Sequence, residues 1–156
     1  MKIKLLVMDV DGTLTDGKIY IGPDGEVMKA FNVKDGMRIK RLANERGTVS
    51  AIITGRTSKI TENRAKEMRI KEVIQGTSNK LPALMALVEK YGVTLEETAY
   101  IGDDFIDIPC LEACGFSGCP ADSAPEVIAV SKYVCKLKGG EGAVGEFADW
   151  LREISE

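Results

Sequence analysis

Short runs of apolar residues alternate along the chain with longer stretches in which apolar residues recur at helical spacing. The apolar runs predict strands at residues 3–8, 49–53, 73–74, 98–101, 115–117 and 132–134. The helical spacing predicts helices over residues 35–46, 57–68, 81–91 and 123–129, a short helix ending at Leu111, and a last helix from about residue 142. Strands that alternate with helices indicate a parallel sheet with right-handed crossovers, so the pattern predicts a three-layer, Rossmann-like α/β fold.

One segment departs from this alternation. Residues 18–21 and 26–31 flank the tetrad Gly22-Pro23-Asp24-Gly25, in which proline takes the second position of a turn. The segment therefore predicts a β-hairpin, inserted at about residues 17–31. Because the chain shows no internal repeat, linker or low-complexity run, we expect residues 1–156 to form a single domain with this hairpin and no large cap domain.

Composition narrows the possible classes of function. Hydrophobic residues make up 44% of the chain, which is enough to bury a core. The net charge is -3 and the pI is about 5.2, with no basic stripe, which argues against a nucleic-acid partner. The apolar runs are too short to cross a bilayer, and Met1-Lys2-Ile3 leads directly into the first predicted strand, so we expect a cytoplasmic protein without a membrane partner.

The chain contains no histidine, which excludes Ser-His, Cys-His and His-metal mechanisms. Acid–base chemistry is then left to carboxylates, lysine or tyrosine. The four cysteines are Cys110, Cys114, Cys119 and Cys135. They include no C-x-x-C pair, so we expect free, mostly buried thiols rather than a zinc site.

Polar residues follow four of the predicted strands. The set consists of Asp9 and Asp11, Thr54-Gly55-Arg56, Lys80, and Gly102-Asp103-Asp104 with Asp107. Each segment alone fits an ordinary role as a turn, a helix cap or a solvated charge. However, the carboxyl ends of parallel strands meet at one rim of the sheet, where ligands bind. Carboxylates held together there need a cation or a phosphate-handling role, so the set as a whole predicts phosphoryl chemistry.

These segments, in this order, resemble the four motifs of the haloacid dehalogenase (HAD) superfamily of phosphatases. A narrower resemblance, to 3-deoxy-D-manno-octulosonate 8-phosphate (KDO 8-phosphate) phosphatases, is carried by further segments. They are Phe31-Asn32-Val33-Lys34-Asp35-Gly36, Ala51-Ile52-Ile53-Thr54-Gly55-Arg56, Gln75-Gly76-x-x-Asn79-Lys80 and Gly139-Gly140-x-Gly142-Ala143-Val144. The resemblance implies a HAD-type sheet and hydrolysis of a keto-sugar acid phosphate, KDO 8-phosphate above all, in lipopolysaccharide biosynthesis.

The resemblance also implies roles for the two aspartates of the first motif. Asp9 would attack phosphorus and form an aspartyl-phosphate. Asp11 would protonate the leaving alkoxide and then deprotonate the attacking water. The spacing of the two aspartates does not by itself say which residue has which role.

The remaining motifs would serve the metal and the phosphoryl group. The resemblance implies that Mg²⁺ is held by Asp9, the backbone carbonyl of Asp11, and Asp103. Asp104 and Asp107 would orient these ligands. Thr54 and Lys80 would bind the oxygens of the phosphoryl group during transfer.

The substrate pocket needs more than these motifs, because the hairpin alone is too small to cover it. The resemblance implies a homotetramer in which a neighbouring subunit completes the pocket. The hairpin also carries apolar residues, namely Ile19, Tyr20, Ile21 and Val27. We expect them to pack against another subunit in such an assembly. The alternative is that they fold over the chain's own core.

Two arginines are candidates to bind the carboxylate of a small sugar-acid phosphate. Both belong to the helical segment beside Thr54: Arg56, which follows Gly55 in the same candidate site, and Arg64. A guanidinium can pair with a carboxylate through two hydrogen bonds. A surface charge is an equally good interpretation of Arg64. The glycine-rich residues 138–142 form either a mobile loop near the site or a lead-in to the last helix.

The chain departs from the family pattern at two positions, which keeps alternatives open. Glu141 stands where some relatives have a basic residue, and Gly145 stands where an arginine is expected. A related 2-keto-3-deoxynononate 9-phosphate phosphatase shares the glutamate but has glutamate in place of Arg56. The alternatives are therefore that nine-carbon substrate, or a non-catalytic tetramerising module, which would have no need of Asp11.

Overall fold

A computed structural model describes all residues, 1–156. Eight strands are present: β1 Leu5–Met8, β2 Tyr20–Gly22, β3 Gly25–Met28, β4 Val49–Ile53, β5 Glu72–Ile74, β6 Thr98–Ile101, β7 Phe116–Cys119 and β8 Tyr133–Val134. Six of them form one parallel sheet in the order β5-β4-β1-β6-β7-β8, while β2 and β3 pair as a separate antiparallel hairpin. The predicted α/β fold class and the predicted hairpin are confirmed.

The helices connect successive strands of the sheet. They are α1 Val33–Arg46, α2 Lys59–Glu67, α3 Lys80–Tyr91, α4 Ile108–Ala113, α5 Pro125–Val130 and α6 Ala143–Ile154, with short 3-10 helices at Leu95–Glu97 and Phe105–Asp107. Local chemistry sets their ends. The Asn32 side chain accepts a hydrogen bond from the Lys34 N–H at the start of α1, and Gly47 ends that helix in a left-handed conformation.

The sheet is covered by helices on both faces, which makes three layers. Leu6 and Met8 point into a core that includes residues of α1, α2 and α6. Leu5 and Val7 point into a second core that includes residues of α3, α4 and α5. Because β1 alternates its side chains between two apolar layers, all four of its residues are buried, as is usual for a central parallel strand.

The hairpin leaves much of its apolar surface exposed. The exposed residues are Tyr20, Ile21, Val27 and Met28, whose exposed fractions range from 48% to 65%. Lys29, which follows directly, is instead buried. None of the helices is both long and apolar enough to cross a bilayer.

Candidate active site

The topology brings three of the predicted segments to one rim of the sheet. β1 lies at the centre with β4 and β6 on its two sides, so the residues that follow these strands are neighbours. The Asp9 N–H donates to the Ile101 carbonyl at 3.0 Å, and the Thr54 N–H donates to the Ile74 carbonyl at 2.9 Å. The carboxyl ends of the strands thus hold the motif residues in fixed register.

Lys80, the first residue of α3, reaches into this rim and is almost completely buried. Its Nζ lies 2.8 Å from Asp9 Oδ1 and 2.8 Å from Asp107 Oδ1. Burial acts to lower the pKa of Lys80, but the two carboxylates outweigh it and raise the pKa above the ordinary value. Lys80 is therefore a charged ammonium group that fixes the orientation of both aspartates.

Asp103 approaches Asp9 from the neighbouring strand end. The Thr13 hydroxyl donates to Asp103 Oδ1 at 2.9 Å and lies 3.4 Å from Asp9 Oδ2, which links the first and last motifs. Burial, with a further contribution from Asp9, raises the pKa of Asp103 to about 9. Burial, followed by the charge of Asp107, also raises the pKa of Asp9.

The donor set suits a hard divalent cation. Carboxylate oxygens of Asp9, Asp103 and Asp107 all lie within 4.8 Å of one another, and the Lys80 ammonium is paired with Asp9 and Asp107. The raised pKa values of Asp9 and Asp103 show that this buried cluster disfavours further negative charge, and a divalent cation would stabilise the charged carboxylates. Mg²⁺ prefers such oxygen ligands. The residues present therefore fit Mg²⁺.

Asp107 already uses its oxygens in hydrogen bonds within the protein. Oδ1 accepts from Lys80 and, at 2.6 Å, from the Tyr100 hydroxyl, while Oδ2 accepts from the backbone N–H groups of Asp103 and Asp104. These bonds shape the loop that presents Asp103. This geometry supports the predicted role of Asp107 in orienting the metal ligands.

Asp11 points to a different partner from Asp9. Its Oδ1 accepts a hydrogen bond from Lys29 Nζ at 2.9 Å, and its Oδ2 is buried without a hydrogen-bond partner. The side chain of Asp11 is thus not part of the carboxylate cluster. A contribution of Asp11 to the metal would come from its backbone carbonyl, as the resemblance implies.

The glycine-rich residues 138–142 pack against the first motif. A Cβ atom at Gly139 would overlap the carbonyl oxygen of Gly12, and the Gly139 N–H donates to Asp122 Oδ1 at 3.0 Å. Gly12 is itself required, because it has a φ of +89° and a Cβ atom there would overlap Asp103 Oδ2. The segment predicted as either a mobile loop near the site or a lead-in to the last helix lies against the first motif and leads directly into α6.

The two candidate arginines have different surroundings. Arg56 is 46% exposed, and its guanidinium lies 3.3 Å from Glu26 Oε2 of the hairpin. Arg64 donates to the Asn32 carbonyl at 3.2 Å and lies 5.8 Å from the centre of the Phe31 ring. Arg64 is thus committed to packing between α2 and the start of α1, and a role in substrate binding stays a prediction for both residues.

Gly145 packs against an arginine of α1. A Cβ atom at Gly145 would lie 2.8 Å from Arg38 Cδ, so the Arg38 side chain passes directly over this glycine. Arg38 Nε then donates to Asp149 Oδ2 at 2.9 Å. The aliphatic part of Arg38 therefore fills the space that a side chain at position 145 would use.

Sequence reasoning missed three residues of the site: Thr13, Lys29 and Tyr100. Thr13 belongs to the first motif, so its hydroxyl could have been a candidate from its position alone. Tyr100 looked like an ordinary core residue of β6, and Lys29 like a solvated charge on the hairpin. Only the fold shows that their polar atoms reach Asp107 and Asp11.

The model of the haloacid dehalogenase-like hydrolase family matches residues 43–147, and the chain belongs to this family. It is 48% identical over 149 residues to 3-deoxy-D-manno-octulosonate 8-phosphate phosphatase KdsC of Escherichia coli strain K12, with 96% of this chain and 79% of that protein covered. KdsC of Yersinia pestis is 46% identical over the same shares.

Solved structures show the same similarity. A KDO 8-phosphate phosphatase from Moraxella catarrhalis, determined with a magnesium ion, a phosphate ion and a KDO molecule, has a TM-score of 0.94 at 41% identity. The match covers 98% of this chain and 87% of that one. A cobalt-bound phosphatase from Haemophilus influenzae has a TM-score of 0.94 at 39% identity, covering 97% and 88%. The chain is therefore a phosphatase, and the magnesium ion in the Moraxella catarrhalis structure agrees with the predicted Mg²⁺ cofactor.

Proposed function

We propose that this chain hydrolyses KDO 8-phosphate to KDO and inorganic phosphate. The observation that carries the proposal is the buried Asp9–Lys80–Asp107 arrangement beside Asp103, at the rim of a sheet that matches phosphatases named for this substrate. The arrangement supplies a fixed nucleophile, a cationic group for phosphoryl oxygens and a cluster of oxygen ligands for one cation.

The reaction proceeds in two displacements. In the first, a carboxylate oxygen of Asp9 forms a bond to phosphorus, the bond between phosphorus and the sugar oxygen breaks, and Asp11 gives a proton to that oxygen. In the second, Asp11 removes a proton from water, the water oxygen attacks phosphorus, and phosphate leaves Asp9. One residue thus acts first as acid and then as base.

The surrounding residues stabilise the phosphoryl group as it moves. Lys80 holds Asp9 in place and offers its ammonium to phosphoryl oxygens, and Thr54 contributes from the end of β4. Mg²⁺, held by Asp9, the Asp11 carbonyl and Asp103, would neutralise negative charge on those oxygens. Burial around the cluster strengthens each of these electrostatic interactions.

The proposal includes a homotetramer in the cytoplasm. The exposed Tyr20, Ile21, Val27 and Met28 form an apolar patch on the hairpin that a second subunit would cover, and a neighbour would then complete the pocket that this chain leaves open. All four cysteines are buried with free thiols, which suits a reducing compartment.

Phosphate release from a panel of sugar phosphates tests the function. With Mg²⁺, the purified protein is expected to release phosphate from KDO 8-phosphate with a higher kcat/KM than from 2-keto-3-deoxynononate 9-phosphate. EDTA and Asp9→Asn should each abolish release. The reverse order of kcat/KM would establish the nine-carbon substrate, and no release from any sugar phosphate would leave the non-catalytic module as the explanation.

A further inference from the structure

Lys29 is a fully buried cation that the proposed mechanism does not yet use. It follows β3 of the hairpin, and its side chain has an exposed fraction of 0%. Its Nζ lies 2.9 Å from Asp11 Oδ1 and 3.3 Å from Glu26 Oε2. A buried ammonium is stabilised only when carboxylates compensate for its lost hydration, so these two partners account for its position.

The two oxygens of Asp11 are made unequal by this contact. Oδ1 accepts the hydrogen bond from Lys29, whereas Oδ2 is buried and has no partner in the protein. The bond therefore fixes the rotation of the carboxyl group and leaves one oxygen free. That free oxygen is the one available to hold a proton for a substrate oxygen or for water.

Lys29 is itself held from a second side. Glu26 Oε2 forms an ion pair with Lys29 and accepts a hydrogen bond from Arg56, and Glu26 Oε1 accepts from the Ser58 hydroxyl at the start of α2. The ammonium is thus anchored to the hairpin and, through Glu26, to the segment that follows β4. Such support from a second set of contacts is what holds an acid–base group in a productive geometry.

We propose that Lys29 is a positioning residue that orients the Asp11 carboxyl for proton transfer to the leaving group. The inference rests on the proposed acid–base role of Asp11. It has a consequence that depends on the substrate. A sugar alkoxide is strongly basic and needs the proton, whereas p-nitrophenolate is a weak base that leaves without one. Loss of Lys29 should therefore slow the first displacement for the sugar phosphate and spare it for p-nitrophenyl phosphate.

The test is single-turnover release of the leaving group from each substrate, at saturating Mg²⁺. Lys29→Met keeps the length of the side chain and removes its charge. It is expected to slow release of KDO by about 100-fold, which is the typical effect of displacing a catalytic group by about 1 Å. KM for KDO 8-phosphate should change by less than about threefold. Release of p-nitrophenolate should slow by less than about threefold. Lys29→Arg, which retains a donor for Asp11, should bring KDO release back to within about tenfold of wild type.

The controls separate this inference from the function beneath it. Lys18→Met removes an exposed charge from the same part of the chain and should behave as wild type on both substrates. Wild-type protein inactive on KDO 8-phosphate would refute the proposed function. An Asp11→Asn variant that releases KDO at the wild-type rate would refute the acid–base role of Asp11 on which the inference rests.

With those two controls passed, Lys29→Met decides the inference alone. Equal slowing on both substrates, or unchanged release of KDO, overturns it. If Lys29→Met fails to fold by circular dichroism, Lys29→Leu, which also removes the donor to Asp11, decides instead. A loss confined to the sugar phosphate then supports the inference, and an equal loss on both substrates overturns it.

Discussion

Asp35 provides a test of the electrostatics of this fold that does not depend on the active site. It lies on α1 with an exposed fraction of 1%. Its Oδ1 accepts from the Gly145 N–H at 2.8 Å, which ties α1 to α6, and its Oδ2 is buried without a partner. Burial raises the pKa of Asp35 from 3.8 to about 6, although Gly145 and the guanidinium groups of Arg64 and Arg38 act to lower it.

The sign of the effect on stability depends on whether Asp35 binds its proton more tightly in the folded or in the unfolded state. Between pH 3.8 and about 6 the folded protein keeps the proton on Asp35 while the unfolded chain has lost it. The free energy of unfolding therefore falls as the pH rises through this window, and the loss is complete above about pH 6. The shift corresponds to a total loss of about 3 kcal/mol, at about 1.4 kcal/mol for each pKa unit.

Asp35→Asn removes this titration and keeps an acceptor for Gly145. The quantity to measure is the difference in unfolding free energy between variant and wild type, from urea titrations at a series of pH values and one fixed Mg²⁺ concentration. We expect this difference to shift by about 2.4 kcal/mol in favour of the variant between pH 4 and pH 7, whatever its value at pH 4. Asp24→Asn, an exposed carboxyl in the hairpin turn, should show no such shift. A difference that stays constant within about 0.5 kcal/mol would refute the argument from burial.

Three further results are expected. Lys80→Met should abolish phosphate release and also lower the urea unfolding free energy by about 3–5 kcal/mol, because it leaves buried carboxylates unpaired; activity lost at full stability would contradict this. Gly12→Ala should weaken Mg²⁺ binding in a calorimetric titration, because its Cβ would displace Asp103. Gly25→Ala is the matched control, since it has a similar positive φ but open space around it, and it should leave Mg²⁺ affinity unchanged. Removal of Mg²⁺ with EDTA should lower the melting temperature of wild type. The same treatment should change the melting temperature of Asp103→Asn by less. Equal changes in the two proteins would argue against Asp103 as a ligand.

The elements of the sheet could be predicted from the sequence because their cause is local. Apolar runs bounded by turn residues predicted all six parallel strands, and Gly47 and Gly92 mark the ends of α1 and α3 as such residues usually do. The order of the strands was not predicted, because it depends on which crossovers pack best. The aspartates at the strand ends needed only the parallel topology to become neighbours.

The support around those aspartates could not be predicted, because it is tertiary. A lysine in a short hairpin has the sequence signature of a solvated charge, and Lys29 is buried only because the hairpin folds against Asp11. Arg64 shows the same limit, since its helical position fits a surface charge while its guanidinium packs on Phe31. A periodic pattern reports which face of an element is apolar, but not what a long polar side chain reaches.

The central position of β1 sets when this protein can fold during synthesis. Thr13 and Asp103 are 90 residues apart in sequence and share a hydrogen bond, and β1 pairs with β6 along its whole length. At the usual pace of translation, about 5–20 residues per second, roughly 5 to 18 s pass between the two segments. During that interval Leu5–Met8 is an apolar strand with one edge unpaired, and a nascent chain in that state is prone to aggregate. Ribosome-bound chains that stop before β6 should therefore depend on chaperones, and they cannot yet assemble a site that hydrolyses phosphate.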